Sequence, residues 1–398
     1  MQIGWIDFSK EDRQKVLSVI DLLSEKGTLD ELGVAPIRDG FSDLFFPGTS
    51  TIQTRAKYFF IVPYILVDLT QKPDINPNLL QARLDKEERR CAEILLAQDA
   101  AGTIGRNSLR ENNWVKRPPS SIYWAGLRTF GIFTKPGMTI NEYFRAVSIL
   151  KKHKHGSKEN RIYSDKEYEA DDQDAGNSLS ISFWNIPDHK DWMEKLGMEL
   201  TKEEALFLKQ QIEVTQPDSM LAFVLKNNLT NISRLNNFSD LGNIGVFSAF
   251  PEQLKKDYLL AKQFADFYEG LSIRYNVMIS QGRNDSAVTA WNDYASNLAQ
   301  HANLNIPLIF QRLHIHNPRL RSFLTTVQEH MLSGNIDQLD KTIHRREVQL
   351  KGAARAKLNQ PGSFPINQWY GIKTLDYRFR YARTIMTDIF CSLEAESC

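Results

Sequence analysis

Cysteine is scarce in this chain, neither sign of charge dominates, and no apolar run is long. The three cysteines among 398 residues are Cys91, Cys391 and Cys398. Their number and spacing fit a reducing compartment and cannot assemble a cysteine-based zinc site. Lys and Arg total 49 against 48 Asp and Glu, a net charge of +1. That balance removes any global electrostatic argument for a polyanionic partner, so such an argument has to be local. The longest apolar run, Tyr58 to Val67, is interrupted by Pro63. It covers about half of the roughly 20 residues that a membrane-spanning helix needs, and reads as buried core. The first residues, Met1 to Asp7, have neither the basic nor the apolar region of a secretory signal. Together these absences predict a soluble cytoplasmic protein without a membrane partner.

Short catalytic signatures are missing as well. There is no GxxxxGK[ST] phosphate loop, no GxSxG elbow, no HExxH, no CxxC and no dinucleotide fingerprint. No cofactor and no metal are expected, and no catalytic residue can be named from a motif. A nuclease with dispersed acidic ligands stays open, with Asp39, Asp43 and Glu347 as candidates, because such ligands leave no short pattern. Two HxH pairs, His153/His155 and His314/His316, could chelate a metal only from extended backbone, where both rings point to one side. Surface or capping roles are the plainer reading of both.

What is present is helical periodicity. At this length two or three domains are expected. Ser9 can cap a helix to about Lys26, stopped by Gly27. A loop rich in Gly, Asp and Pro is expected to Gly48, then a helix from Thr51 to Leu69 bent at Pro63. Leu80, Leu84, Cys91 and Leu95 place an apolar stripe on a helix from Pro77 to Gln98. A short helix is expected near residues 107–113. Residues 151–178 are nearly free of apolar side chains and turn from basic to acidic, which predicts a charged loop or linker. Thr201 and Glu204 form a capping box. Further helices are expected from Glu252 to Ser280, Ser286 to His301, Pro318 to Leu332, Ile336 to Lys357 and Leu375 to Leu393. Strand signals are confined to Leu179 to Trp184 and, more weakly, Ile244 to Phe247. The expected class is mainly α, a multi-domain helical protein with a few short strands. Its parts would be a helical domain over 1–150, the linker over 151–178 and a helical domain over 179–398.

Three segments could bind an anion or a nucleic acid. Ser50, Thr51 and Arg55 precede an apolar helix whose free first amides suit a phosphate; internal capping is the alternative. The stretch from Arg117 to Phe133 reads as a short helix capped by Ser120 or Ser121 and ended by Gly131, with Ile132 and Phe133 returning to the core. That pattern is winged-helix-like over 79–145, and would offer Arg117, Ser121, Trp124 and Arg128 to DNA. The third is the basic segment with Lys341, His344, Arg345, Lys351 and Arg355, followed by Arg378 and Arg380 among aromatic residues. Arginines interleaved with rings suit phosphate contacts and stacking, while a basic face paired with acids elsewhere in the chain is the competing reading.

Four blocks carry a resemblance: Gly4 to Ser9, Phe46 to Phe59, Pro119 to Trp124 and Arg346 to Leu358. With them the chain resembles a bacterial family of unknown function. The resemblance implies association with helicase and nuclease genes in phage-defence islands, and supplies no catalytic residue. The expectation that follows is a non-enzymatic, DNA-associated subunit of an antiviral defence system. Its partners would be duplex DNA and defence proteins such as a helicase or nuclease. The alternatives are an adaptor that docks such a partner and the dispersed-site, metal-dependent nuclease.

Overall fold

A computed structural model of the chain describes residues 30–71, 76–161 and 183–394, without the side chains of 77–78 and 152–161. The helix expected from Ser9 to Lys26 lies outside the described residues. So do residues 162–178 of the expected linker, 179–182 of the expected strand, and the side chains of His153 and His155. Among the described residues the fold is mainly helical and has no sheet. An isolated antiparallel bridge joins Phe133 to Trp184. No described helix is long and apolar enough to cross a membrane.

Backbone contacts gather the chain into two compact units that cross the sequence order. The first joins Met1–Ser42 to Gly245–Tyr377, and the second joins Asp43–Ile244 to Arg378–Cys398. The division falls inside α1 (Ala35–Phe45), a segment expected as loop. Gly40, Asp39 and Pro36 suggested a loop, but Ile37, Phe41 and Phe45 recur every four residues and are fully buried. Asp30 starts this helix from outside by accepting hydrogen bonds from the amides of Gly33 and Ala35, at 2.9 and 2.6 Å.

The first unit is built on α9 (Glu252–Ile279), which buries Tyr258, Phe264, Tyr268, Leu271 and Tyr275 as their helical spacing requires. After α9 come α10 (Asp285–Ala295), α11 (Leu298–His301), α12 (Ile306–Arg312), α13 (Pro318–Leu332) and α14 (Ile336–Lys351). Gly270 lets α10 lie close to α9, because a Cβ there would meet the Tyr294 ring at 2.2 Å. Ser286 to His301 was expected as one helix; it breaks at Asn297, and His301 stacks back on Tyr294 at 4.2 Å. Ile244 to Phe247 is not a strand but leads into a 3-10 helix over Gly245–Ala249, which packs Phe247 against Phe250 and Tyr258. α14 stops at Lys351, short of the expected Lys357, because Gly352 takes a left-handed φ of 78° and turns the chain away.

The second unit holds α2 (Tyr58–Gln71), α3 (Pro77–Ala97), α4 (Arg106–Arg110), α5 (Pro119–Thr129), α6 (Ile140–Arg161), α7 (Lys202–Thr215), α8 (Met220–Lys226) and α15 (Phe379–Glu394). α2 is buried almost throughout and carries Pro63 within it, so the apolar run is core, not membrane span. It starts seven residues later than expected, after turns at Thr51–Ile52 and Ala56–Lys57. α6 runs through Lys151 to Arg161, where a loop was expected; Tyr143, Phe144 and Val147 anchor its first turns. The capping box of Thr201 and Glu204 is present, with the reciprocal bonds at 3.1 and 2.8 Å. α15 starts at Phe379 rather than Leu375, after left-handed Tyr377 and Arg378.

Candidate functional site

The first unit carries a groove of about 900 Å³ between α13 and α14. Asn317 caps α13 through the amide of Leu320, Asn335 caps α14 through the amide of Gln338, and left-handed Gly334 joins the two helices. This short connection makes them antiparallel neighbours. Leu320, Phe323, Leu324, Val327 and Met331 bury one face of α13, while Leu339 and Ile343 bury that of α14. The polar edge beside this seam supplies the groove. From α13 come Arg319, Ser322 and Thr326, and from α14 come Thr342, Arg345 and Gln349. Among the described residues no Asp or Glu lines it. Arg319 and Arg345 are exposed and have no hydrogen bond or ion pair among the described residues. A groove of this kind presents fixed positive charge and hydroxyl and amide donors to an anion.

Arg346 lines the same groove but is already engaged. Its guanidinium donates to the carbonyls of Leu32 and Gly33 at 2.9 and 3.3 Å and lies 5.2 Å from the Phe323 ring centroid. Lys351 is turned inward as well. It pairs with Glu31 and, at 2.9 Å, with the fully buried Glu347. Glu347 also accepts from the Tyr275 hydroxyl at 2.7 Å and from the amides of Lys357 and Leu358 at 3.1 and 3.0 Å. The expected basic segment is therefore divided. Lys341 and Arg345 stay exposed one turn apart on α14, Lys351 is spent in an internal network, and Arg355 lies beyond the helix end. His344 is bonded to Asn359.

In the second unit, the amides proposed to receive a phosphate are bonded within the protein. The Tyr123 hydroxyl accepts from the amides of Thr54 and Arg55 at 2.9 and 3.1 Å, and the amide of Ala56 donates to Asp388 at 2.7 Å. Arg55 itself pairs with Asp388 at 2.9 Å. Ser50 donates its amide to the Gln53 side chain, and Thr51 is exposed. Asp388 thus stands where an outside anion was expected, and burial raises its carboxyl above the usual range against the pull of Arg55. Arg378 is held by Asp43 at 2.6 Å and by the Thr49 carbonyl, and Arg380 is exposed on α15.

The α5 segment keeps its inward face, with Tyr123, Leu127 and Phe130 buried and left-handed Gly131 at its end. Neither Ser120 nor Ser121 caps it. Glu88 of α3 does so from a distance in sequence, its carboxyl group accepting the Ser120 amide at 2.5 Å. Of the four side chains offered to DNA, Arg117 and Ser121 are exposed and Arg128 is half-exposed, donating to the Pro136 carbonyl. Trp124 is not available. It is 7% exposed, packs on Phe133 and Trp184, and donates its indole N–H to the Met138 carbonyl.

A second groove, of about 790 Å³, lies in this unit between α2 and residues 184–194. Its charges are mostly acidic: Asp68, Asp188, Asp191 and Glu194 face only Lys190 and His189. Asp68 accepts the Trp192 indole N–H at 2.8 Å and lies 3.5 Å from the His189 ring, which stacks on Tyr64 at 4.9 Å.

Among the described residues no group of three or more His, Cys, Asp or Glu could hold a metal ion. The dispersed carboxylates are each engaged: Asp39 with Arg38, Asp43 with Arg378, and Glu347 in its network. Sequence reasoning named Arg345 but missed Arg319, Ser322, Thr326, Thr342 and Gln349. The signal was present as spacing: 319, 322 and 326 share a face of one helix, and 342, 345 and 349 share a face of the next. The Gly334–Asn335 turn brings the two faces together. In comparisons with known proteins, no curated protein and no solved structure matches the chain. A model of a family of unknown function (DUF6361) matches residues 1–158, and over that stretch the chain is similar to this family.

Proposed function

We propose that the chain is a non-enzymatic, nucleic-acid-associated protein that grips phosphates in the α13–α14 groove. One observation carries this reading: Arg319 and Arg345 are exposed and unpartnered among the described residues, in a groove without a carboxylate. A balanced chain has acids enough to neutralise its bases, and it does so at Arg38, Arg55, Lys351 and Arg378. Leaving two neighbouring guanidinium groups unneutralised around a concave surface suits an anion supplied from outside. Phosphate backbones are such anions, and arginine meets them with paired donors. The resemblance read from the sequence implies an association with helicase and nuclease genes, and with it this reading gives the chain a place in phage defence, holding DNA for a partner enzyme.

The test is binding of fluorescent DNA by the full chain at about 50 mM salt, where electrostatic contacts are strong. Arg319→Ala together with Arg345→Ala is expected to weaken binding about tenfold or more while leaving the melting temperature unchanged. A folded wild-type chain that binds no nucleic acid under these conditions contradicts the proposal.

A further inference from the structure

We infer that the ligand of the α13–α14 groove is double-stranded nucleic acid held by its phosphates, rather than a single strand held by its bases; this rests on the nucleic-acid reading above. Proteins that take single strands combine a basic track with aromatic faces on which unpaired bases stack. The one aromatic ring in this groove is Phe323. It is 7% exposed, and the Arg346 guanidinium already lies over it. Arg346 cannot leave without cost, because it is buried and spends its donors on the carbonyls of Leu32 and Gly33. No ring is therefore offered to a base.

The groups that are offered are all donors suited to phosphate oxygens. Arg319 and Ser322 stand on α13, and Arg345 and Gln349 stand on α14. They form two rows on packed helices, whose axes run about 8–10 Å apart. A single strand presents one row of phosphates. A duplex presents two, facing each other across grooves of about 6 and 12 Å, within reach of arginine side chains on neighbouring helices. Phosphate contacts of this sort position a duplex without reading its bases.

The experiment is a competition on the full chain. A labelled short duplex is displaced by the same unlabelled duplex or by either of its separate strands, at about 50 mM salt. The expected result is that the duplex competes about tenfold better per nucleotide than either strand, and that this preference is lost in Arg319→Ala/Arg345→Ala. Phe323→Leu, which keeps an apolar side chain under Arg346, should leave duplex affinity within about twofold. Equal or better competition by a single strand overturns the inference and leaves the proposed function standing. A duplex preference that survives the double arginine change overturns it too, since the preference then arises elsewhere. A Phe323→Leu chain with wild-type melting temperature and a large loss of affinity would show that the ring meets the ligand, again against the inference. No binding to either form removes the proposed function with it.

Discussion

Two grooves of similar size, one in each unit, carry opposite charge. The groove between α13 and α14 is lined by three arginines and no acid, whereas that beside α2 has four carboxylates against one lysine and one histidine. Their charges cancel in the total, which is why a net charge of +1 said nothing about either. They differ also in how far the protein satisfies them. Asp68 in the acidic groove is occupied by Trp192 and His189, so part of its charge orders its own walls. Arg319 and Arg345 in the basic groove have no such partner among the described residues. A charge that the fold uses and a charge that it leaves for a ligand look alike in a sequence, and differ in their neighbours.

The largest effect that would break this comparison is on binding. Reversing both exposed arginines, Arg319→Glu with Arg345→Glu, is expected to lower DNA affinity by roughly 100-fold at low salt. The matching change in the other groove, Asp188→Lys with Asp191→Lys, should alter it by no more than about threefold. Titrations of both double variants check this, and equal losses would erase the distinction between the grooves. Stability sharpens the contrast between used and unused charge. Glu347→Ala strips an acceptor from Tyr275, Lys351 and two backbone amides. It should cost about 3–5 kcal/mol in denaturant unfolding, against less than about 0.5 kcal/mol for Arg319→Ala.

The smallest effect concerns Glu88. Burial raises its carboxyl to about 8, with the Ser120 amide pulling the other way. A folded-state value above the unfolded one means that the folded chain holds a proton that the unfolded chain has lost. The stability from this group is therefore complete below about pH 4.5 and declines as pH rises towards 8. Glu88→Gln keeps an acceptor for Ser120 and removes the titration. Relative to wild type, it should gain about 2 kcal/mol between pH 5 and pH 6.5, read as melting temperature against pH. Parallel curves for the two proteins would show that Glu88 stays charged in the fold.

Much of the fold was legible because it rests on periodicity. α9, α13, the Thr201 capping box and the burial of Tyr58 to Val67 all follow from local spacing and apolar content. What failed was set by tertiary contacts. α1 hides in a segment rich in loop residues because its buried apolar face is only three residues long, and α5 is capped by Glu88 from 32 positions away. The candidate site was half legible for the same reason. Arg345 stood out in a basic run, but the run could not reveal that Lys351 turns inward to Glu347 while Arg345 does not. Trp124 was misread because a ring on a short helix beside arginines resembles a contact residue until its indole is seen donating to Met138. Partnership decides these roles, and partners come from remote parts of the chain.

The most direct test of the account is the salt dependence of duplex binding, measured from about 50 to 200 mM for the wild-type chain and for Arg319→Ala/Arg345→Ala. Each phosphate contact releases counterions and contributes about 0.9 to the slope of log affinity against log salt. The slope should be shallower by about two units in the double variant, one for each arginine. Identical slopes in the two proteins would mean that neither arginine meets a phosphate, and would contradict the assignment of this groove.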